Sequence, residues 1–168
     1  MKTLRQLGER GLIRRLQQLL PRGQGVVVGI GDDCAAVRFG AGGKRGDLLL
    51  LKTDAVVEGV HFDRRATARQ IGWKAMARAL SDIAAMAGRS RWALVTAGLR
   101  DDMPARFVED IYRGMTKVAG EFGVAIVGGE TVRTRGPFWL SVALAGEVGR
   151  RGMRLRSSAR VGDAIFVT

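Results

Sequence analysis

A chain of 168 residues is long enough for one well-buried domain and short for two. Apolar residues make up 46% and glycines number 24, which excludes a disordered chain and fits a globular α/β class. A single cysteine, Cys34, excludes an internal disulfide framework. The formal charge is +12, and 23 of the 28 basic residues are Arg, a balance that invites a nucleic-acid-binding reading. Against it, the arginines are scattered over the chain and form no basic stripe interleaved with aromatics. The basic N-terminus is interrupted by charge throughout, and no apolar run reaches the roughly 18 residues of a membrane span. A cytoplasmic location is expected.

In chain order, Leu4, Leu7, Leu12, Ile13, Leu16, Leu19 and Leu20 recur close to helical spacing over 3–20, and Pro21 ends the run. "GVVVGIGDDCAAVRF" (25–39) reads as a strand, a Gly-Asp-Asp turn or bulge, and a continuing strand. A turn at 41–47 leads to a strand over 48–57, apolar enough to be buried on both sides. Helical spacing returns from Thr67, a good N-cap, to a stop at Gly88, and its alanines allow close approach to a sheet. A strand over 91–100 follows, then a helix opened by Pro104 and ended at Gly123. Strands over 124–132 and 138–148 flank the turn "RTRGP", a polar loop covers 150–163, and "AIFVT" starts a further strand. This order predicts an α/β (α+β) sandwich: a mixed, largely antiparallel sheet with helices on one face.

The chemistry lies in the acids. Of the 16 acidic residues, Asp32, Asp33, Asp54, Glu58, Asp82 and Glu130 sit beside apolar or glycine-rich runs. There is no G-x-x-x-x-G-K-[ST] loop and no Cys/His ligand cluster, so the common nucleotide-hydrolase loop and zinc are excluded. Carboxylates and a threonine hydroxyl suit Mg2+, which prefers oxygen and bridges substrate phosphates. In "GIGDDCA" one Asp can ligate metal while the other bonds the turn; the plainer alternative is an Asx turn with solvated acids. Strand alternation in "LKTDAVV" puts Lys52 and Asp54 on one side and Thr53 on the other. Asp82 lies in an alanine-rich helix where an unpaired carboxylate is costly, its simplest partner being Arg78 one turn earlier. The glycines of "VGGET" admit a phosphate or adenine beside Glu130, or simply make a tight turn. The lone His61 is either a structural residue or a substrate contact.

"GIGDDCA", "TDAVVEGVHF", "GWKAMARALSDIAAMAG", "VGGETVR" and "RLRSSARVGDAIFVT" together resemble the thiamine-monophosphate kinase family, in its order and at its spacing, from about Gly29 to Thr168. The wider superfamily includes aminoimidazole ribonucleotide synthetase, whose N-terminal domain gives the expected fold. The resemblance implies ATP-dependent phosphorylation of thiamine monophosphate to thiamine diphosphate, several Mg2+ ions, and a homodimer joined through the N-terminal sheet, with no membrane or specific nucleic-acid partner. It implies Asp33, Thr53, Asp54, Asp82 and Glu130 as Mg2+ ligands, with Asp32 and Lys52 nearby. Gly129, Glu130 and Arg156 would border ATP, and His61 would face the thiamine phosphate. Residues 1–150 would form a Mg·ATP-binding domain, and 151–168 the loop and first strand leading to a second domain on which activity depends. Two positions depart from the family: Glu130 replaces its usual Asp, and Lys52 stands where a small hydroxyl residue is common. The alternative is a related or degenerate homologue that serves as a nucleotide-binding or dimerisation module.

Overall fold

The computed structural model describes residues 3–21, 23–39 and 47–165. The elements are α1 (Leu4–Leu19), β1 (Val26–Val28), β2 (Ala35–Arg38), β3 (Asp47–Val57), α2 (Ala68–Ala85), β4 (Arg89–Leu99), α3 (Ala105–Glu121), β5 (Ala125–Arg133) and β6 (Trp139–Gly149). Six strands form one sheet in the order β1-β2-β3-β6-β4-β5. Every pairing is antiparallel except β4–β5, the pair that α3 connects. The expected mixed, largely antiparallel sheet with helices on one face is what the chain forms.

The helix signals act where the sequence puts them. The Thr67 side chain accepts from the Gln70 amide while the Gln70 side chain accepts from the Thr67 amide, a capping box that starts α2. Pro104 caps α3, and Gly123 at φ 67° lets the chain turn out of it. At the end of α2 the positive φ falls on Ala87, at 57°, and not on Gly88. Gly88 serves packing instead: a Cβ there would lie 2.3 Å from Leu50 Cδ1.

The strand, turn or bulge, and continuing strand expected over 25–39 are two short strands joined by a turn. β1 and β2 fold back on each other, Val26 opposite Val37, so the "GIGDDCA" segment is the turn of the two alternatives and not a bulge. The turn at 41–46 and the last three residues of the expected final strand lie outside the described residues; Ala164 and Ile165 are not in a strand. α1 is a helix broken at Gly8 (φ 63°) with no buried residue, so its apolar stripe makes no core. The core sits between the sheet and α2/α3, where Leu50, Met76, Ile83, Ile111, Met115, Leu140 and Leu144 are fully enclosed.

Among the described residues one sheet face is covered by helices and the other is open, and strand alternation decides which residue sees which. On β3, Leu48, Leu50 and Val56 are buried under the helices, so Lys52 and Asp54 share that side. Leu51, Thr53, Trp92, Leu94, Val127, Ala143 and Ala145 line one patch of the open face. Among the described residues no helix is long and apolar enough to cross a membrane.

Candidate active site at the β3–α2 face

Antiparallel pairing of β2 with β3 sets Ala35 opposite Leu51, so the Asp32–Cys34 segment arrives beside Lys52. α2 then lays two charged residues, one turn apart, against the same stretch. The result is a crossed set of pairs. Lys52 Nζ contacts Asp82 Oδ2, and Arg78 Nη2 lies 3.4 Å from Asp54 Oδ1. Asp82 therefore pairs with Lys52, not with Arg78 one turn earlier on its own helix. The charged ends are shielded, with side-chain exposures of 19% for Lys52, 25% for Asp82 and 20% for Asp54. Arg78 Nε is buried with no hydrogen-bond partner among the described residues.

The Gly-Asp-Asp loop completes the cluster. Asp32 Oδ1 accepts from the Asp33 amide at 3.0 Å, which closes the turn, and both Asp32 oxygens accept from the Arg156 amide. Arg156 Nε donates to Asp33 Oδ1 at 3.0 Å, pinning the 154–158 loop over this turn, while the Arg154 amide donates to Met86 O. A polar cleft beside Arg156 is lined by Arg154, Ser158, Arg160 and Asp163.

These charges feel one another. Burial pushes the Cys34 thiol up to about 12, assisted by the charges of Asp82, Asp33 and Asp32 and opposed by Lys52, so this cysteine is an inert packing residue. Burial pulls Lys52 down, but its hydrogen bond to Asp82 and the charges of Asp54 and Asp82 outweigh that and hold it above the ordinary lysine value. The hydrogen bond and charge of Asp33, with further help from Asp32 and Asp82, hold Arg156 in its charged form.

Asp32, Asp33, Lys52, Asp54, Asp82 and Arg156 are thus brought together; Thr53 and Glu130 are not. The Thr53 hydroxyl lies on the open face, 3.2 Å from Ser141 Oγ. The register runs Asp54–Val142–Val95–Gly129, placing Gly129 and Glu130 three strands away, roughly 14 Å. Gly129 has a structural reason to be glycine: a Cβ there would lie 1.8 Å from Val95 O, and its φ is 151°. His61 Nδ1 accepts from the Val57 amide at 3.0 Å, so in the neutral ring the proton sits on Nε2. Lys74 Nζ donates to the His61 carbonyl.

Among the described residues no group of three or more His, Cys, Asp and Glu side chains could hold a metal ion. Asp33, Asp54 and Asp82 each carry a cation from the chain instead. These hard oxygens fit a Mg2+ held by one or two carboxylates together with substrate phosphates, and do not fit a cage of three acids.

Glu58 is a buttress. The Phe138 amide, 3.2 Å away, holds its carboxyl below the ordinary 4.5, and Arg100 Nη1 at 2.6 Å adds to this against a burial effect of opposite sign. A depressed carboxylate contributes stability above its unfolded value and loses it as pH falls through the folded one. Melting temperature should therefore drop below pH 4.5, and Glu58→Gln should flatten that acid limb; an unaltered limb would assign it to other carboxylates.

The chain belongs to the family of AIR synthase related proteins, N-terminal domain, whose model matches residues 31–148. Within it, the chain is 35% identical over 165 residues to thiamine-monophosphate kinase of Aquifex aeolicus (strain VF5), covering 98% of this chain and 50% of the relative. It is 37% identical over 164 residues to thiamine-monophosphate kinase of Rhodopirellula baltica, covering 95% of this chain and 49% of that relative. A solved structure, AaThiL complexed with AMPPCP and TMP, matches with a TM-score of 0.84 at 34% identity, over 97% of this chain and 48% of that one. The chain spans about half the length of the curated relatives it matches.

Proposed function

We propose that the chain is the Mg·ATP-binding part of a thiamine-phosphate kinase, which transfers a phosphoryl group from ATP to thiamine monophosphate and yields thiamine diphosphate. The observation that carries this reading is the convergence of Asp33, Asp54 and Asp82 beside Lys52 and Arg156. It occurs in a fold that matches AaThiL complexed with AMPPCP and TMP. In this reading residues 1–150 form the nucleotide-binding domain, 151–168 lead toward a second domain, and transfer belongs to the whole kinase, working in the cytoplasm.

Phosphoryl transfer needs positioning and charge neutralisation more than covalent help. Asp33, Asp54 and Asp82 would hold Mg2+ ions by one or two carboxylates each, together with the substrate phosphates, and Mg2+ when bound neutralises phosphate charge. Arg156 has a planar fork suited to phosphate and would exchange Asp33 for it. Gly129 and Glu130 would border the far end of the nucleotide, a span that an extended nucleoside triphosphate bridges. Thr53, on the open face beside Ser141, and Glu130, three strands from Asp54, stand apart from this cluster and are assigned no ion in this reading. His61 would present Nε2–H to the thiamine phosphate. Calorimetry with AMPPCP tests the reading: binding is expected with Mg2+ present and lost in excess chelator. Absence of binding in both conditions would overturn it.

The partner proposed for the open sheet face is a second copy of the chain. Leu51, Trp92, Leu94 and Val127 are between 43% and 58% exposed there, an apolar patch on a face without helices. Leu94→Arg should convert a dimer into a monomer in sedimentation analysis, and an unchanged mass would dismiss this interface.

A further inference from the structure

The crossed ion pairs under α2 carry a consequence for how metal enters the site. Lys52 extends from β3 on the same side as Asp54, and its ammonium contacts Asp82 across the sheet–helix boundary. Of the three cations on these acids it is the most enclosed, at 19% side-chain exposure against 40% for Arg78 and 64% for Arg156. Arg78 meets Asp54 only at 3.4 Å. Lys52 is therefore the cation that solvent screens least, and its charge acts most strongly on an ion that reaches Asp82.

We propose that Lys52 is a resident cation on Asp82, occupying a carboxylate that would otherwise be free for a divalent ion, so that free metal is held off until substrate phosphate draws the ammonium away. This rests on the Mg·ATP reading of the same site. A Mg2+ approaching the unliganded chain meets a positive charge already seated on Asp82, and binding it requires breaking that pair against like-charge repulsion. A phosphate changes the balance. Lysine is a compact point charge on a flexible four-carbon stem with three donors, so Lys52 can leave Asp82 for a phosphate oxygen. That motion frees the Asp82 carboxylate for metal. Metal and nucleotide then favour one another, and by linkage the coupling is reciprocal.

Mn2+, a paramagnetic stand-in for Mg2+, tests this without turnover. Its affinity for the purified chain is read by electron paramagnetic resonance in the absence of nucleotide, for wild type, Lys52→Met, Lys52→Ser and Lys52→Arg. The two neutral variants are expected to bind Mn2+ about tenfold tighter than wild type, with Lys52→Arg close to wild type. Their melting temperatures should also rise more on adding Mg2+, since the metal replaces the lost charge partner. Adding AMPPCP should tighten Mn2+ binding markedly in wild type and little in the neutral variants. Equal or weaker Mn2+ binding in the neutral variants overturns the proposal, and Lys52→Ser decides it where Lys52→Met does not fold. Because the first measurement contains no nucleotide, a chain that never binds AMPPCP overturns the proposed function while the Mn2+ comparison still judges Lys52.

Discussion

Asp82→Asn is expected to weaken Mg2+-dependent binding of AMPPCP about a hundredfold or more while lowering the melting temperature only modestly. Asparagine keeps the shape of aspartate and loses its charge, so the change isolates electrostatics from packing. Asp82 lies toward the C-terminal end of α2 at 25% side-chain exposure, and no hydrogen bond within the helix depends on its side chain among those described. Two effects then add. The site loses one of the carboxylates proposed for the metal, and Lys52 keeps its positive charge without its partner, so that a net positive charge replaces a balanced pair. A hundredfold corresponds to about 2.7 kcal/mol, within the range for breaking a shielded charge-assisted contact. Calorimetry with and without Mg2+ reads the binding, and a thermal melt reads the fold. Unaltered Mg2+-dependent affinity would show that Asp82 and Lys52 are a structural pair alone.

How much of this was legible beforehand follows from which forces are local. The cap at Thr67, the Pro104 start and the Gly123 exit are set by a few neighbouring residues, and they appear where expected. Alternation along β3 likewise separated Thr53 from Lys52 and Asp54, because side-chain direction in a strand depends only on parity. Partner choice is another matter. Arg78 was the nearest base to Asp82 along the helix, yet it reaches Asp54 instead, since α2 lies against β3 and brings Lys52 closer to Asp82. Nothing in the local spacing of α2 announces that register.

The lateral order of strands was equally hidden. β6, the last strand, inserts between β3 and β4, which moves Gly129 and Glu130 three strands away from Asp54. The motifs run in the family's order along the chain, but that order is blind to which strands become neighbours. The glycines of "VGGET" suggested room for a ligand, whereas Gly129 is required where β5 closes on the Val95 carbonyl. A glycine's two uses, close packing and ligand access, leave the same mark in a sequence.

Gly72→Ala should be among the most destabilising single-methyl changes in the helix layer, and Gly114→Ala its near equal. A Cβ on Gly72 would lie 1.9 Å from Ile111 O, and one on Gly114 would lie 2.1 Å from Arg69 O. Both obstacles are backbone carbonyls of the opposing helix, so no side-chain rotation relieves them; α2 and α3 must separate. Overpacking of this kind costs about 3 kcal/mol or more, which for a chain of this size lowers the melting temperature by roughly 6–12 °C. The two substitutions should be strongly non-additive. Once one methyl has forced the helices apart, the second finds the space already made, and the double variant should lose little more than either single one. A full additive loss would mean that each glycine is needed for a separate, local reason. The outcome also bears on the charged site, because α2 carries Arg78 and Asp82 on the turns that meet β3. A helix displaced from α3 is no longer held at the register that joins Asp82 to Lys52, so Gly72→Ala should weaken Mg2+-dependent AMPPCP binding even below its melting transition.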